Sequence, residues 1–321
     1  MTELVFMKED KSLILRKNHL AHLHESLGAI NLCWNQMITP ARYCPDIHVE
    51  HRAIRVSAGL TDMSGIKKAW VSGEESTNLL NNLVTRDCTK VEPGSAVYTA
   101  LLNTEGFLTD DAILFRLFPE TVIENNDKWL ICFGGGNGLE CLYEAAKNTS
   151  VQINLDESLV CTLLQGPEAL KMMNKLNDNL NFTELKRFKH LMVKLTGEPI
   201  LVSRTSYSGE DGFEIFSNPE TSVSIWEIMM NHGALPVGFE ALDIARIEAG
   251  LLFFGRDMTG FETPTELGLD FIVDKYKKYF KGKTAYMKNK DNPTIKIVGI
   301  SIPELIELNC NELMNNNGQK I

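Results

Sequence analysis

Apolar residues along this chain fall into short runs separated by turns, and the runs keep two different periods. Residues 46–59 keep a helical spacing, with Ile47, Ile54 and Ala58 on one face, Asp46 placed to cap the start and Gly59 the end. Residues 76–83 predict a shorter helix with Leu79, Leu80 and Leu83 inward. Further helices are expected from Glu168, over 222–230, and over 241–250 with Ile244, Ile247 and Leu251 inward. Residues 68–72 read as a strand ending at Gly73. Residues 97–102 and 112–115, joined by Asn103-Thr104-Glu105-Gly106, read as a hairpin. Strands are also expected over 129–133, 159–164, 192–195, 200–204 and 212–216. Hairpins and helices mix without strict βαβα alternation, and no solenoid repeat occurs, which predicts an α+β fold with antiparallel-rich sheets.

The two ends read differently. The first 28 residues form one or two polar segments stopping at Gly28. Residues 283–293, rich in Lys, Asn and Asp, read as a linker, and 294–302 as the first strand of a new unit. Only about one further strand fits before Ile321, leaving exposed edges and a thin core. The expectation is a truncated chain, or a tail that leans on the preceding domain.

Length and charge narrow the classes. A chain of 321 residues predicts two or three domains. Its 32 basic and 42 acidic residues give a net charge of −10, which argues against nucleic acid or an anionic membrane surface as partner. No stretch approaches the roughly 18 apolar residues of a membrane span. The N-terminus carries early acids rather than a secretory pattern, so a cytoplasmic address is expected. Seven cysteines without a CxxC pair read as reduced thiols.

Several residue groups could carry chemistry. His19, His22 and His24 with Glu25 invite a metal reading, but zinc needs three or four converging ligands, and a solvated helix face is the simpler expectation. No metal site is expected. The run Gly134-Gly135-Gly136-Asn137-Gly138 follows a strand but lacks the Gly-Lys-Ser/Thr of a phosphate loop, so it reads as a place where the backbone approaches something closely. In Thr109-Asp110-Asp111-Ala112 the adjacent acids point to opposite strand faces, so one can face a cavity while the other caps a turn or meets solvent. Glu214, between Phe213 and Ile215, is either exposed or holds a donor-rich partner. Local residues alone favour a solvated turn for the first pair and exposure for Glu214. Asp243, Arg246 and Glu248 can form ion pairs along one helix.

Taken in order, these segments resemble the folate-dependent aminomethyltransferase family, typified by the T-protein of the glycine cleavage system. The resemblance runs through residues 50–55, Gly59-Leu60-Thr61-Asp62-Met63-Ser64, Val97-Tyr98, residues 106–111, Leu164-Gln165-Gly166-Pro167, residues 203–214, Arg246-Ile247-Glu248-Ala249-Gly250 and Gly255-Arg256-Asp257-Met258. Pro264, Glu266 and Gly268-Leu269 extend it, so that it covers about residues 25–310. It implies three domains around a central cavity for tetrahydrofolate. Residues 1–290 would hold two intertwined α+β domains, and 291–321 the start of a β-barrel domain that this chain leaves incomplete.

The resemblance also reverses both local readings of the acids. It implies that Asp111 is the catalytic aspartate, that Glu214 holds the pterin ring, and that Tyr98 and Tyr207 contact the folate. Three departures from the T-protein pattern stand out: Gly65-Ile66 after Ser64, Gly134-Gly135-Gly136 in place of an Asn-Ala loop, and Leu242 in place of an arginine. They imply a different one-carbon donor, and Leu242 together with Cys33-Trp34-Asn35-Gln36-Met37-Ile38-Thr39-Pro40 is more similar to the branch of dimethylsulfoniopropionate demethylase. The activity implied is transfer of a methyl group from a small sulfonium, ammonium or ether donor to N5 of tetrahydrofolate. The alternatives are a glycine-cleavage aminomethyltransferase working with a lipoyl carrier protein, and a non-catalytic folate-binding protein.

Overall fold

The computed structural model describes residues 15–119, 127–177 and 179–300. The chain opens with α1 (Ala21–Ser26), the hairpin β1 (Ile30–Trp34) and β2 (Met37–Arg42), and α2 (Ile47–Val56). Then come β3 (Gly59–Asp62), β4 (Lys67–Ser72), α3 (Ser76–Leu83), β5 (Ser95–Leu102), β6 (Leu108–Arg116), β7 (Lys128–Phe133), α4 (Gly138–Ala146) and β8 (Gln152–Leu155). The second half holds β9 (Val160–Gln165), α5 (Ala169–Met173), β10 (His190–Leu195), β11 (Glu198–Ser203), β12 (Gly212–Ser217), α6 (Pro219–Asn231), β13 (Leu235–Pro236), α7 (Phe239–Glu248) and α8 (Lys283–Asn289).

Two larger sheets result. One has the order β10-β11-β12-β9-β3-β13, antiparallel except for the β13–β3 pair; the other, β5-β6-β7-β4-β8, is antiparallel throughout. Side-chain alternation assigns the faces. Phe213 and Ile215 of β12 pack with Trp226 and Met229 of α6 and with α5 on one side of the six-stranded sheet. Ala112 and Leu114 of β6 pack with α3 and α4 on one side of the five-stranded sheet. The remaining faces meet each other: Phe115, Leu130 and Cys132 from one sheet join Cys161, Leu163, Leu201 and Phe216 from the other. The layers therefore run helices, sheet, sheet, helices, and the α+β reading is borne out.

Most predicted elements form where the spacing placed them. Asp46 caps α2 by accepting from the His48 amide, and Leu79, Leu80 and Leu83 of α3 are buried. Four expectations need correction. Helix α2 stops at Val56, and Gly59 opens a strand instead of capping the helix. A Cβ on Gly59 would lie 2.6 Å from Val237, so the glycine is there for close packing. On α7 the buried residues are Phe239, Ala241, Leu242, Ala245 and Arg246, while Ile247 is 58% exposed. Arg246 turns inward because its guanidinium binds Asp243 and Asp257 and stands over the Phe253 ring.

The expected linker at 283–293 contains α8, anchored by buried Tyr286, whose hydroxyl donates to Asp270. Over 294–300 the chain forms no strand; Thr294 and the Ile297 amide instead bind Glu266. The rest of the expected barrel segment, 301–321, lies outside the described residues.

Candidate active site

The space between the two sheets collects the four residues singled out from the sequence. On β6, Asp111 shares a face with Ile113 and Phe115, which pack between the sheets. On β12, Glu214 shares a face with Phe216 and enters the same space from the opposite side. Tyr98 of β5 donates its hydroxyl to Asp111 Oδ2 at 2.8 Å. Tyr207 leans on the same cluster and donates to the Leu252 carbonyl at 2.5 Å. Burial, then the charge of Asp111, keeps Tyr98 a neutral phenol far above the ordinary range; burial does the same for Tyr207.

The paired acids divide their work as strand alternation requires, though neither meets solvent freely. Asp110 is buried on the helical side and accepts from the amides of Asp111, Gly135 and Gly138 at 2.9, 3.2 and 2.9 Å. Burial raises its pKa and these amides oppose the rise. The Gly134 amide in turn donates to the Asp111 carbonyl at 2.9 Å. A Cβ on Gly134 would lie 1.9 Å from Asp111 Oδ1, and one on Gly138 2.6 Å from Asp110 Oδ2. The close approach expected of the glycine run is thus to the aspartate pair itself.

Asp111 and Glu214 are both pushed up to about 7. For Asp111 burial is the main cause and the neighbouring Asp110 charge adds to it, against the Tyr98 bond. For Glu214 burial acts against one hydrogen bond from Thr205, 2.7 Å from Oε2. Asp111 Oδ1 is buried without a partner, and Glu214 Oε1 makes no hydrogen bond among the described residues. Two acceptors that titrate near neutrality and lack donors fit a ligand that brings N–H groups or positive charge.

This arrangement has a consequence for stability. An acid whose pKa is raised on folding holds its proton more tightly in the folded state. Its contribution is full below the unfolded value near 4, falls through the window up to about 7, and is flat above. In urea titrations of the ligand-free protein, Asp111→Asn and Glu214→Gln are each expected to match wild type at pH 4 and to exceed it at pH 8. The difference should grow by roughly 1.4 kcal/mol per pH unit inside the window. Variants less stable than wild type at pH 8 would count against burial as the cause.

The solvated helix face expected of the histidines holds for His22 and Glu25 but not for His24. His24 is buried and binds Asp62 and Tyr43 at 2.9 and 2.8 Å, whereas His22 and Glu25 lie on the surface. Among the described residues no group of three or more His, Cys, Asp or Glu is placed to hold a metal ion. No described helix is long and apolar enough to cross a membrane.

A family model described as the GCVT N-terminal domain matches residues 20–277. The chain belongs to this family. It is a family of folate-dependent one-carbon transferases whose proteins typically use tetrahydrofolate. The chain is 35% identical over 299 residues to the gamma subunit of a heme-dependent oxidative N-demethylase from Ectopseudomonas mendocina (strain ymp), covering 89% of this chain and 76% of that one. It is 32% identical to an aminomethyltransferase of Thermotoga neapolitana, covering 90% and 79%. Among solved structures it is similar to the glycine cleavage system aminomethyltransferase T from Bartonella henselae, with a TM-score of 0.78, 27% identity, and 88% and 76% of the two chains covered.

Sequence reasoning missed two features of this GCVT-family site. Lys68 is fully buried and spends its ammonium on the carbonyls of Ser64 and Ile66 at 2.8 and 3.0 Å; a lysine inside an apolar strand gave no such signal. Asn35, at the tip of the β1–β2 hairpin, has a buried and unpartnered Nδ2 beside Gly135. Its left-handed φ of 46° marks the turn.

Proposed function

We propose that this chain transfers a one-carbon unit from a small methylated donor to N5 of tetrahydrofolate. The observation that carries the reading is the pair of half-buried carboxylates, Asp111 and Glu214, entering one space from facing sheets, each with an oxygen that no described residue satisfies. An N-methylated amine is the donor class favoured here, because a relative 35% identical is a subunit of an N-demethylase.

Tetrahydrofolate, when bound, supplies the nucleophilic nitrogen that accepts the carbon. Glu214 would hold the pterin by accepting its ring N–H and amino hydrogens, which also holds the carboxyl ionised. Asp111 would face the cationic donor or the charge that develops at N5, and take up the proton released. Tyr98 orients that carboxylate through Oδ2, while Oδ1 accepts from no described residue. The packed walls between the sheets keep these carboxyl groups half-buried, where a carboxylate acts on a cation more strongly than in open solvent.

The test is calorimetry with tetrahydrofolate. Wild type is expected to bind it, and Glu214→Ala to bind at least tenfold more weakly, since each charge-assisted bond contributes ~1.5–3 kcal/mol. Equal affinity of the two proteins would remove Glu214 from the site. Aminomethyltransfer is the second reading, favoured by the 32% relative and by the TM-score of 0.78. Ammonia release that depends on an added lipoyl carrier protein would select it. Folate binding without turnover of any donor would select a non-catalytic binding protein.

A further inference from the structure

The polar face that carries Glu214 holds a second residue with an unmet hydrogen bond. Gln165 ends β9 and is 1% exposed. In the β12–β9 ladder Gly212 pairs with Gln165 and Glu214 with Leu163. Period-2 alternation therefore sends Gln165 and Glu214 to the same face, as diagonal neighbours roughly 7–8 Å apart along the backbone.

The glycine opposite Gln165 matters. A Cβ on Gly212 would lie 2.9 Å from Gln165 Cγ, so the glutamine side chain runs across the place where another side chain would stand. The Ser206 hydroxyl donates to Gln165 Oε1 at 3.3 Å. Nε2 is then left buried with no partner. Leaving a buried amide donor unpaired costs stability, and a water, an ion or a ligand can complete it.

The face thus carries a donor on Gln165 and the unused Oε1 acceptor on Glu214 at diagonally neighbouring positions. Its complement is a ligand edge with an N–H next to a carbonyl, the edge of a cyclic amide. A ligand that is only a cation has no use for Gln165, and one that is only an anion is repelled by Glu214. The pterin ring of tetrahydrofolate carries such an edge, with an amino group and ring N–H followed by the 4-oxo oxygen. We propose that Gln165 is a second pterin-binding residue, donating its Nε2–H to the 4-oxo oxygen while Glu214 accepts from the adjacent N–H groups. This assignment rests on the folate reading above.

The test is a binding cycle by calorimetry on the full chain. The ligands are tetrahydrofolate and its 4-amino analogue, in which an amino donor replaces the acceptor oxygen. Wild type is expected to prefer tetrahydrofolate. Gln165→Met keeps the volume and removes the donor; it should weaken tetrahydrofolate about tenfold and leave the 4-amino analogue within about twofold. Equal weakening of both ligands would make Gln165 a scaffold residue, and no change in either would assign its N–H to a buried water; both results overturn the proposal. Should Gln165→Met fail to fold, wild type decides alone: affinity for the 4-amino analogue equal to or above that for tetrahydrofolate overturns it. Wild type that binds neither ligand sinks the folate reading and this assignment together, whereas the other negative results sink this assignment only.

Discussion

Asp111→Asn is expected to lower turnover by roughly 10²–10⁴-fold while tetrahydrofolate affinity stays within about threefold of wild type. The amide is isosteric and can still accept the Tyr98 hydroxyl, so the local geometry survives. It cannot carry negative charge or take a proton. With folate saturating, wild-type kcat should rise with pH through a limb near 7, the value to which burial and Asp110 push this carboxyl. Bound pterin N–H groups hold Glu214 ionised, so the limb belongs to Asp111 and should vanish in the variant. Steady-state rates of folate product formation between pH 5.5 and 9 check both statements. Wild-type turnover in Asp111→Asn would end the role assigned to this residue.

The largest loss of stability is expected at a residue outside the site. Glu50 of α2 is 1% exposed and binds three backbone amides. Oε1 accepts from Tyr43 and Cys44 at 2.6 and 2.7 Å, and Oε2 from Gly238 at 2.7 Å. One carboxylate therefore joins the end of β2, helix α2 and the start of α7. Gly238 cannot yield to fill a gap, since a Cβ there would lie 2.2 Å from the Ala41 carbonyl. Glu50→Ala strands three buried donors and is expected to cost roughly 3–5 kcal/mol. Urea denaturation midpoints at constant slope measure it. A loss below about 1 kcal/mol would mean that water satisfies these amides in the variant. Because α7 leads into Arg246 and the Phe253 region beside Tyr207, weaker folate binding should accompany the loss.

Both expectations turn on contacts between distant segments, and that is where reading the chain by itself met its limit. Helix α3, the β5–β6 hairpin and the Asp46 cap depend on residues within a few positions of one another, so spacing and turn chemistry placed them. The same local logic required Asp110 and Asp111 to face opposite ways. It could not say which way was inward, because alternation is symmetric until a second sheet covers one face. Local neighbours read Glu214 as exposed, and only the ordered resemblance argued otherwise.

The tertiary structure decided the rest through desolvation and pairing. Glu214 is pushed up to about 7 because strands from both sheets remove water around it. Arg246 displaces Ile247 from the buried face of α7 because Asp257, eleven residues on, supplies a partner. Residues 283–289 become a helix because Tyr286 finds a pocket and Asp270. The glycine run is spaced for close approach, as its composition announced, but its target, the Asp110–Asp111 pair, is visible only when β6 and β7 are laid side by side. Sequence alone determined most of the helices and hairpins and the order of chemistry-bearing residues, since both are encoded over short spans. Which of those residues share one desolvated space, and so hold shifted charges and unmet hydrogen bonds, was fixed only when the two sheets closed on each other.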